Sequence, residues 1–527
     1  MSATITTEPD ETILSPPIVW SIAGSDSGGG AGIQADLKAF EAFGVHGCTA
    51  LTAITAQHSQ GVERIEVVPA DLLDAQLSAL ATDLPPRAIK IGLLGSADNA
   101  RCVSRWIDRL RKSAAVAVVL DPLQRATTGA AFCDEALRRA LREELLPRAT
   151  LITPNRAEAA WLLGDDAAAT LDCATAARTL RTLEPASVVI TGGDAGSARV
   201  RDWVDTPEVQ AWLEQPRITT PHHHGTGCVF SAAAAAGMAR GFCITDALIL
   251  AKMCTTDALR RAYTAGQGAG PVRPDRGFAR QRDTLPTLVD GPNTYPSTAR
   301  CAPLVERNLG LYAIVDSAEW VARAVAAGVR TVQLRIKHAP PDELTRAIAR
   351  SVQIAATAGV QLFINDHWQL AVDLGAYGIH LGQDDLRTLD RTAWDQVSGA
   401  GLRVGISTHS LWEVCRARAV RPSYIACGPI HATTTKEMPW LPQGTANLAY
   451  WSAVLDEPVI AIAGMDEVRS REAMRCGAAG VAVLRGIMQA ADPEGAIQRL
   501  QAAIAAGRAD QSFAPPAMAR PTLTGVV

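Results

Sequence analysis

The strongest constraint on this chain is a rhythm. Short runs rich in β-branched residues alternate with alanine-rich stretches of helical period, in two series separated by a break. In the first series, Ile18–Ala23, Thr49–Ile54, Ala88–Ile91, Val116–Leu120, Leu151–Thr153 and Val188–Ile190 read as strands. Helical stretches such as Ile33–Phe43, Asp71–Ala81 and Asn99–Arg111 lie between them. Apolar strands hidden on both faces and separated by helices argue for a parallel sheet with right-handed crossovers. From Gly266 to Pro303 the rhythm stops, and Gly, Pro, Arg and Thr crowd a segment with neither period. Structureless loops of that length are uncommon inside a domain, so the segment reads as a linker, one with no sign of enforced docking. The second series follows: Leu311–Val315, Thr331–Leu334, Gln361–Ile364, Gly378–His380, Arg403–Ile406, Tyr424–Ala426, Val459–Ile462 and Gly480–Val483. Eight strands, each with a helix behind it, in about 200 residues suit a (β/α)₈ barrel. The expected organisation is a disordered start (1–16), an α/β domain (17–270), a linker (271–305), a barrel (306–509) and a flexible tail (510–527).

Composition narrows the partners. With 50 basic against 54 acidic residues, the formal charge of −4 offers no global basic field for nucleic acid or an anionic membrane, while local anion sites stay open. The 11 cysteines are odd in number and form no C-x-x-C pair, which fits buried thiols in a reducing compartment. Glu8, Asp10 and Glu11 precede the first apolar run, unlike a secretory signal, and no apolar stretch reaches membrane-spanning length. The expectation is a cytoplasmic chain that handles small molecules, binds neither nucleic acid nor membrane, and can form a homo-oligomer.

Two glycine-rich loops stand out in the first half. Gly24-Ser25-Asp26-Ser27-Gly28-Gly29-Gly30-Ala31-Gly32 follows a strand and opens a helix, but no G-K-[ST] follows it, so it is not a P-loop. It is either a tight turn or a ligand cradle. Gly225-Thr226-Gly227-Cys228 opens a helix of small residues, and its amides would form a hole for charge developing on a transferred phosphoryl group. A thiol in that first turn is expected to have a depressed pKa, which makes Cys228 a candidate proton acceptor; the alternative is a buried packing cysteine. Consecutive side chains cannot easily converge on one metal, so His222, His223 and His224 do not read as a zinc site.

AGSDSGGGAGIQADLKAF (23–40), TAITAQHSQGV (52–62), KIGLLGS (90–96), LDP (120–122), TPNRAEA (153–159) and HGTGC (224–228) occur in one order. The set resembles the hydroxymethylpyrimidine/phosphomethylpyrimidine kinases of thiamine biosynthesis, with their ribokinase-like three-layer α/β/α fold. The resemblance implies ATP as phosphoryl donor and two successive transfers to a pyrimidine. It also implies Asp36, Gln57 and the Gly24 backbone on the pyrimidine, and Asn155 and Glu158 ordering Mg²⁺. Thr191-Gly192-Gly193 stands where many relatives have K-G-G, which removes a cation expected near the ATP phosphates. Pyridoxal kinase, of the same fold, is the nearest rival.

Active sites of such barrels sit at the C-terminal ends of the strands. Period two puts Gln333, Arg335 and Lys337 on one face after the second strand, where two cations suit a diphosphate or simply face solvent. Asn365-Asp366 ends the third strand, His380 to Asp385 ends the fourth, and Ser407 and His409 end the fifth. Carboxylates on neighbouring strand ends can share one Mg²⁺. Thr433, Thr434, Thr435 and Lys436 follow the sixth strand as a hydroxyl-rich phosphate loop, and Gly464 ends the seventh. This constellation is similar to thiamine-phosphate synthase. The similarity implies Arg335, Lys337, Asn365, Ser407 and Lys436 on a pyrimidine diphosphate and Asp366 and Asp385 on Mg²⁺. It implies Thr433, Thr435, Gly464 and Val483 around thiazole phosphate. A tautomerase relative and a non-catalytic thiamine-responsive protein are the alternatives. The two resemblances fit chemically, since the diphosphate made by the first half would be consumed by the second.

Overall fold

The computed structural model describes residues 15–124, 133–164, 171–193, 197–291, 301–432, 439–510 and 512–523. Eleven strands belong to the first half: β1 Ile18–Ala23, β2 His46–Leu51, β3 Ala53–His58, β4 Gly61–Val67, β5 Ala88–Ile91, β6 Ala117–Leu120, β7 Leu151–Ile152, β8 Val188–Ile190, β9 Arg199–Asp205, β10 Gln210–Pro216 and β11 Thr287–Asp290. Nine of them form one sheet in the order β11-β10-β9-β8-β7-β6-β5-β1-β2. It is parallel from β8 to β2 and antiparallel from β8 to β11. β3 and β4 form a separate hairpin. Successive residues of the parallel strands feed two cores. Val19 and Val119 pack with Phe40 and Val229 on one side, and Trp20 and Val118 pack with Leu73 and Ile107 on the other. That two-sided burial is why these strands read as continuous apolar runs.

The second half is a closed barrel of β12 Gly310–Val315, β13 Thr331–Leu334, β14 Gln361–Asn365, β15 Gly378–Leu381, β16 Arg403–Thr408, β17 Tyr424–Cys427, β18 Val459–Ile462 and β19 Gly480–Val483, in chain order, with β19 returning to β12. Its interior is filled by Tyr312, Phe363 and Tyr424 against small neighbours. A Cβ on Gly405 would lie 1.9 Å from the Tyr424 ring.

The antiparallel strands were not legible. β4 and β9 mix charged with apolar residues and β10 mixes polar with apolar ones, and the run read as Thr49–Ile54 is in fact the end of β2 and the start of β3. The segment expected as an undocked linker is also corrected. β11 completes the first sheet, Phe278, Leu285 and Leu288 are buried, and Leu304 joins the barrel core. One apolar cluster runs through both halves. Arg416 of the barrel pairs with Asp290 through two contacts of 2.9 and 2.7 Å, and Tyr450 Oη donates to Ala279 O at 2.7 Å. The tail is not loose either, since Met518, Ala519 and Thr522 are buried. Scattered apolar residues without a period give no sequence signal, yet each of these is buried.

Gly405→Ala is expected to destabilise the barrel by about 3 kcal/mol, because the new methyl must displace Tyr424. Denaturant unfolding followed by tryptophan fluorescence measures it.

Candidate active sites

A cavity of about 580 Å³ opens at the C-terminal edge of the first sheet. Its walls come from the two glycine loops, Gln57 of β3, and the strand-end residues Asp121, Thr153 and Thr191. Asp26 organises the first loop, accepting N–H bonds from Gly28 (2.8 Å), Gly30 (2.9 Å) and Ala31 (2.8 Å) and pairing with His224 Nε2 at 3.0 Å. Burial pushes its carboxyl up, but His224 and these amides outweigh burial and hold it below the usual range. His224 also meets Gln57 Nε2 at 3.4 Å, which ties the hairpin to the second loop. Gly225 caps the helix Thr226–Ala239 with φ 83°, and a Cβ there would lie 1.9 Å from Gly30 O. Beside the Asp26–His224 contact, the two loops therefore also meet backbone to backbone, an approach only glycine permits. A Cβ on Gly227 would meet nothing within 4 Å.

Two expectations are corrected here. Asp36 does not face the cavity. It is fully buried beneath the floor, with Ser21 donating to it at 2.6 Å and Lys90 Nζ 3.0 Å away. Its helix, Gly32–Phe43, turns Ala35, Asp36 and Ala39 toward the sheet, so the carboxylate serves Lys90, a cation in the middle of a buried strand. Cys228 does border the cavity, but its thiol is not acidified. Burial pushes it up to about 12, Asp121 and Asp36 add to the shift, and Lys90 only partly opposes it. Lys90 itself stays charged, because Asp36 first and then Asp121 offset its desolvation.

Asn155 and Glu158 both border the cavity and form a capping box for the helix Arg156–Leu163: Asn155 N donates to Glu158 Oε2 at 2.8 Å, and Glu158 N donates to Asn155 Oδ1 at 2.9 Å. Burial, and next the nearby Asp121, push the Glu158 carboxyl up to about 8. Two crowded oxygen-donor side chains on one wall are the donor set a hard dication takes. Asp26, Lys90, Asp121 and His224 lie within the ordered motifs of the first half, but their spacing alone carries no role for them.

On the barrel, Lys337 Nζ holds Asp366 Oδ2 at 2.8 Å. Asp366 sits at φ 64°, a left-handed backbone that is costly for a non-glycine residue. Burial first, and then the charge of Asp366, raise the Asp385 carboxyl, so this pair also suits a dication. Asn365 is buried, and its Nδ2 has no partner. Gln333 departs from expectation: it is the last inward residue of β13, is 3% exposed, and donates through Nε2 to Tyr312 Oη at 3.2 Å. From there hydrogen bonds run from Tyr312 to Tyr424 (2.7 Å), from Tyr424 to His380 Nδ1 (2.7 Å) and from His380 Nε2 to Ser407 Oγ (2.8 Å). Gln333 Nε2 can only donate, so the acceptor left for the buried Tyr312 hydroxyl proton is Tyr424, and satisfying that proton gives the chain one polarity. Tyr312 donates to Tyr424, Tyr424 to His380, and His380 to Ser407, which leaves the Ser407 proton free for an anion. Burial drives the His380 pKa down to about 4, keeping the imidazole neutral. Gly464 (φ 70°) and Val483 end β18 and β19 as expected, while Thr433, Thr435 and Lys436 lie outside the described residues.

These features define a two-site transferase, an α/β kinase fused to a phosphate-handling barrel. Residues 26–273 match the phosphomethylpyrimidine kinase family and 311–487 the thiamine monophosphate synthase family. The chain is 32% identical over 489 residues to a probable thiamine biosynthetic bifunctional enzyme, described as chloroplastic, of Oryza sativa subsp. japonica, covering 89% of this chain and 86% of that one. Its first half is 43% identical over 260 residues to a hydroxymethylpyrimidine/phosphomethylpyrimidine kinase of Synechococcus elongatus (49% of this chain, 97% of that one). Its second half is 46% identical over 201 residues to a thiamine-phosphate synthase of Neisseria meningitidis serogroup B (38% and 97%). The chain belongs to the family of bifunctional thiamine biosynthetic enzymes, with a ribokinase-like hydroxymethylpyrimidine/phosphomethylpyrimidine kinase domain and a thiamine-phosphate synthase barrel. Among the described residues, no helix is long and apolar enough to cross a membrane.

Gly225→Ala should lower kinase kcat/KM by about 100-fold, the effect of a misplacement near 1 Å, and leave the synthase untouched. A second outcome concerns pH. A neutral His380 contributes stability that is fully present above the unfolded pKa of 6.5 and is lost as pH falls through about 4. The barrel should lose about 3 kcal/mol over that window, and His380→Asn should flatten the dependence in thermal melts.

Proposed function

We propose that the first cavity moves the γ-phosphoryl group of ATP onto the hydroxymethyl oxygen of an aminopyrimidine and then onto the resulting monophosphate. The barrel rim then joins the diphosphate product to thiazole phosphate. The observation that carries this reading is that one chain holds both a glycine-walled cavity at a helix start and a carboxylate-rimmed barrel mouth.

In the kinase step the substrate oxygen bonds to phosphorus as the bond to ADP breaks, and negative charge gathers on the transferred group. The amides of Gly225 to Cys228 are placed to meet that charge. Cys228 keeps its proton, so we assign it a contact with the hydroxymethyl oxygen and not the part of a base. A loose transition state needs no strong base, because the hydroxyl proton leaves late. Gln57 and the Gly24 backbone remain the assigned pyrimidine contacts. Lys90 is the cation beneath the cavity, though Asp36 and Asp121 share it, so it replaces only part of what Thr191 lacks.

In the synthase step the methylene–oxygen bond breaks with its electron pair on diphosphate, and the thiazole nitrogen supplies the pair for the new carbon–nitrogen bond. Arg335, Lys337, the unpartnered Nδ2 of Asn365 and the free proton of Ser407 receive the leaving diphosphate. Gln333 acts from below, by setting the polarity of the chain that ends at Ser407. Lys436 is assigned to the same diphosphate, and Thr433, Thr435, Gly464 and Val483 to the thiazole phosphate. Mg²⁺, held by Glu158 with Asn155 and Asp121 in one site and by Asp366 and Asp385 in the other, would neutralise phosphate charge.

Purified protein given ATP, Mg²⁺, hydroxymethylpyrimidine and thiazole phosphate should yield thiamine phosphate, read by chromatography. Asp366→Ala should slow thiamine phosphate formation by about 10² to 10³-fold while ADP release continues at the wild-type rate. Loss of both activities would overturn the two-site assignment.

A further inference from the structure

The surface between the halves does more than tether them. Asp246, in the first turn of the kinase-half helix Ile244–Arg260, is 1% exposed. Its Oδ1 accepts the backbone N–H of Trp412 at 2.9 Å, and its carboxylate also takes the N–H of Leu411. These are the first residues of the barrel helix Leu411–Ala419, whose own cap, Ser410, reaches only Glu413 N. A helix start leaves its first N–H groups unpaired, so the kinase half finishes capping a synthase helix. That helix follows β16, whose last two residues are Ser407 and Thr408.

The C-terminal segment meets the same point. Thr522 Oγ1 lies 3.5 Å from Asp246 Oδ2, and Thr522 O accepts from Leu441 N at 2.9 Å. Leu523 bridges Trp440 in antiparallel fashion. The Trp440 ring stacks on His409, two residues beyond Ser407, at 5.5 Å and 8°. Arg520 and Asn447 exchange two hydrogen bonds, of 2.6 and 3.0 Å. On the kinase side Arg280 holds the carbonyls of Pro515 (2.6 Å) and Pro516 (3.3 Å). Residues 512–523 thus form a strap from the kinase half to the synthase rim.

We propose that Asp246 and this strap are positioning elements of the synthase site, so that the barrel depends on the kinase half for a correctly held β16 end. The proposal rests on the synthase reading of the barrel. Its test uses the full chain with premade pyrimidine diphosphate. Deleting residues 512–527, or making Asp246→Ala, should raise the synthase KM by about tenfold, the worth of one helix cap, with kinase kcat/KM unchanged in the same preparation. Asp246→Asn, which keeps an acceptor oxygen, should restore most of the loss. Amide hydrogen exchange at Leu411, Trp412 and Leu441 should quicken in the two disruptive variants. Because exchange needs no substrate, it reads the junction even if the wild-type barrel makes no thiamine phosphate, an outcome that would fault the synthase reading instead. If the truncated chain does not fold, Thr522→Ala takes its place. Unchanged synthase constants with unchanged exchange would overturn the proposal, and so would equal losses in both activities.

Discussion

Both halves are governed by one constraint: their parallel strands are covered on two sides, so polar groups are driven to the strand ends, where the chain must turn. In the kinase sheet this places Asp121, Thr153 and Thr191 along one edge, and in the barrel it places Arg335, Asn365 and Ser407 around one mouth. Lys90 is the exception that shows the force of the rule. A cation inside the strand Ala88–Ile91 must bring its own counter-charges, and Asp36 and Asp121 are both bound to it. Asp36 is thereby removed from ligand duty, and the thiol of Cys228, facing the same carboxylates, is denied the acidity that its helix position alone would confer.

The same constraint decides what was legible. Strands buried on both faces announce themselves by unbroken apolar runs, so β1, β5, β8, β13, β18 and β19 were read to the residue. Strands with one wet face, such as Arg199–Asp205, mix charge with valine and tryptophan and offer no unbroken apolar run. The segment after Gly266 gave no period because its buried residues are single anchors, not a repeating face. In the sites, glycine turns and strand-end charges were visible because spacing carries them. The partners of those charges were not: nothing local in Q-L-R-I-K tells that Gln333 points down to Tyr312, and nothing in the helix beginning Thr226 tells that its thiol is buried beside Asp36 and Asp121. Those facts depend on which distant side chain arrives alongside.

Fusion in this molecule is asymmetric. The glycine turn Gly225–Cys228 that borders the kinase cavity lies at the N-terminus of the helix Thr226–Ala239, about 21 Å from its other end. The docking surface lies past that other end, where Gly241 faces Pro521 and Asp246 caps the barrel helix. Kinase chemistry is therefore separated from the interface by a full helix length. On the barrel, the docked helix Leu411–Ala419 starts directly behind β16, so the interface adjoins the rim itself. A disturbance of the contact between the halves reaches Ser407 through three residues but reaches Gly225 only along the whole of a packed helix. Interiors are close-packed and transmit displacement mainly to immediate neighbours. The half that makes the diphosphate is thus built to stand apart, and the half that consumes it is built against its supplier.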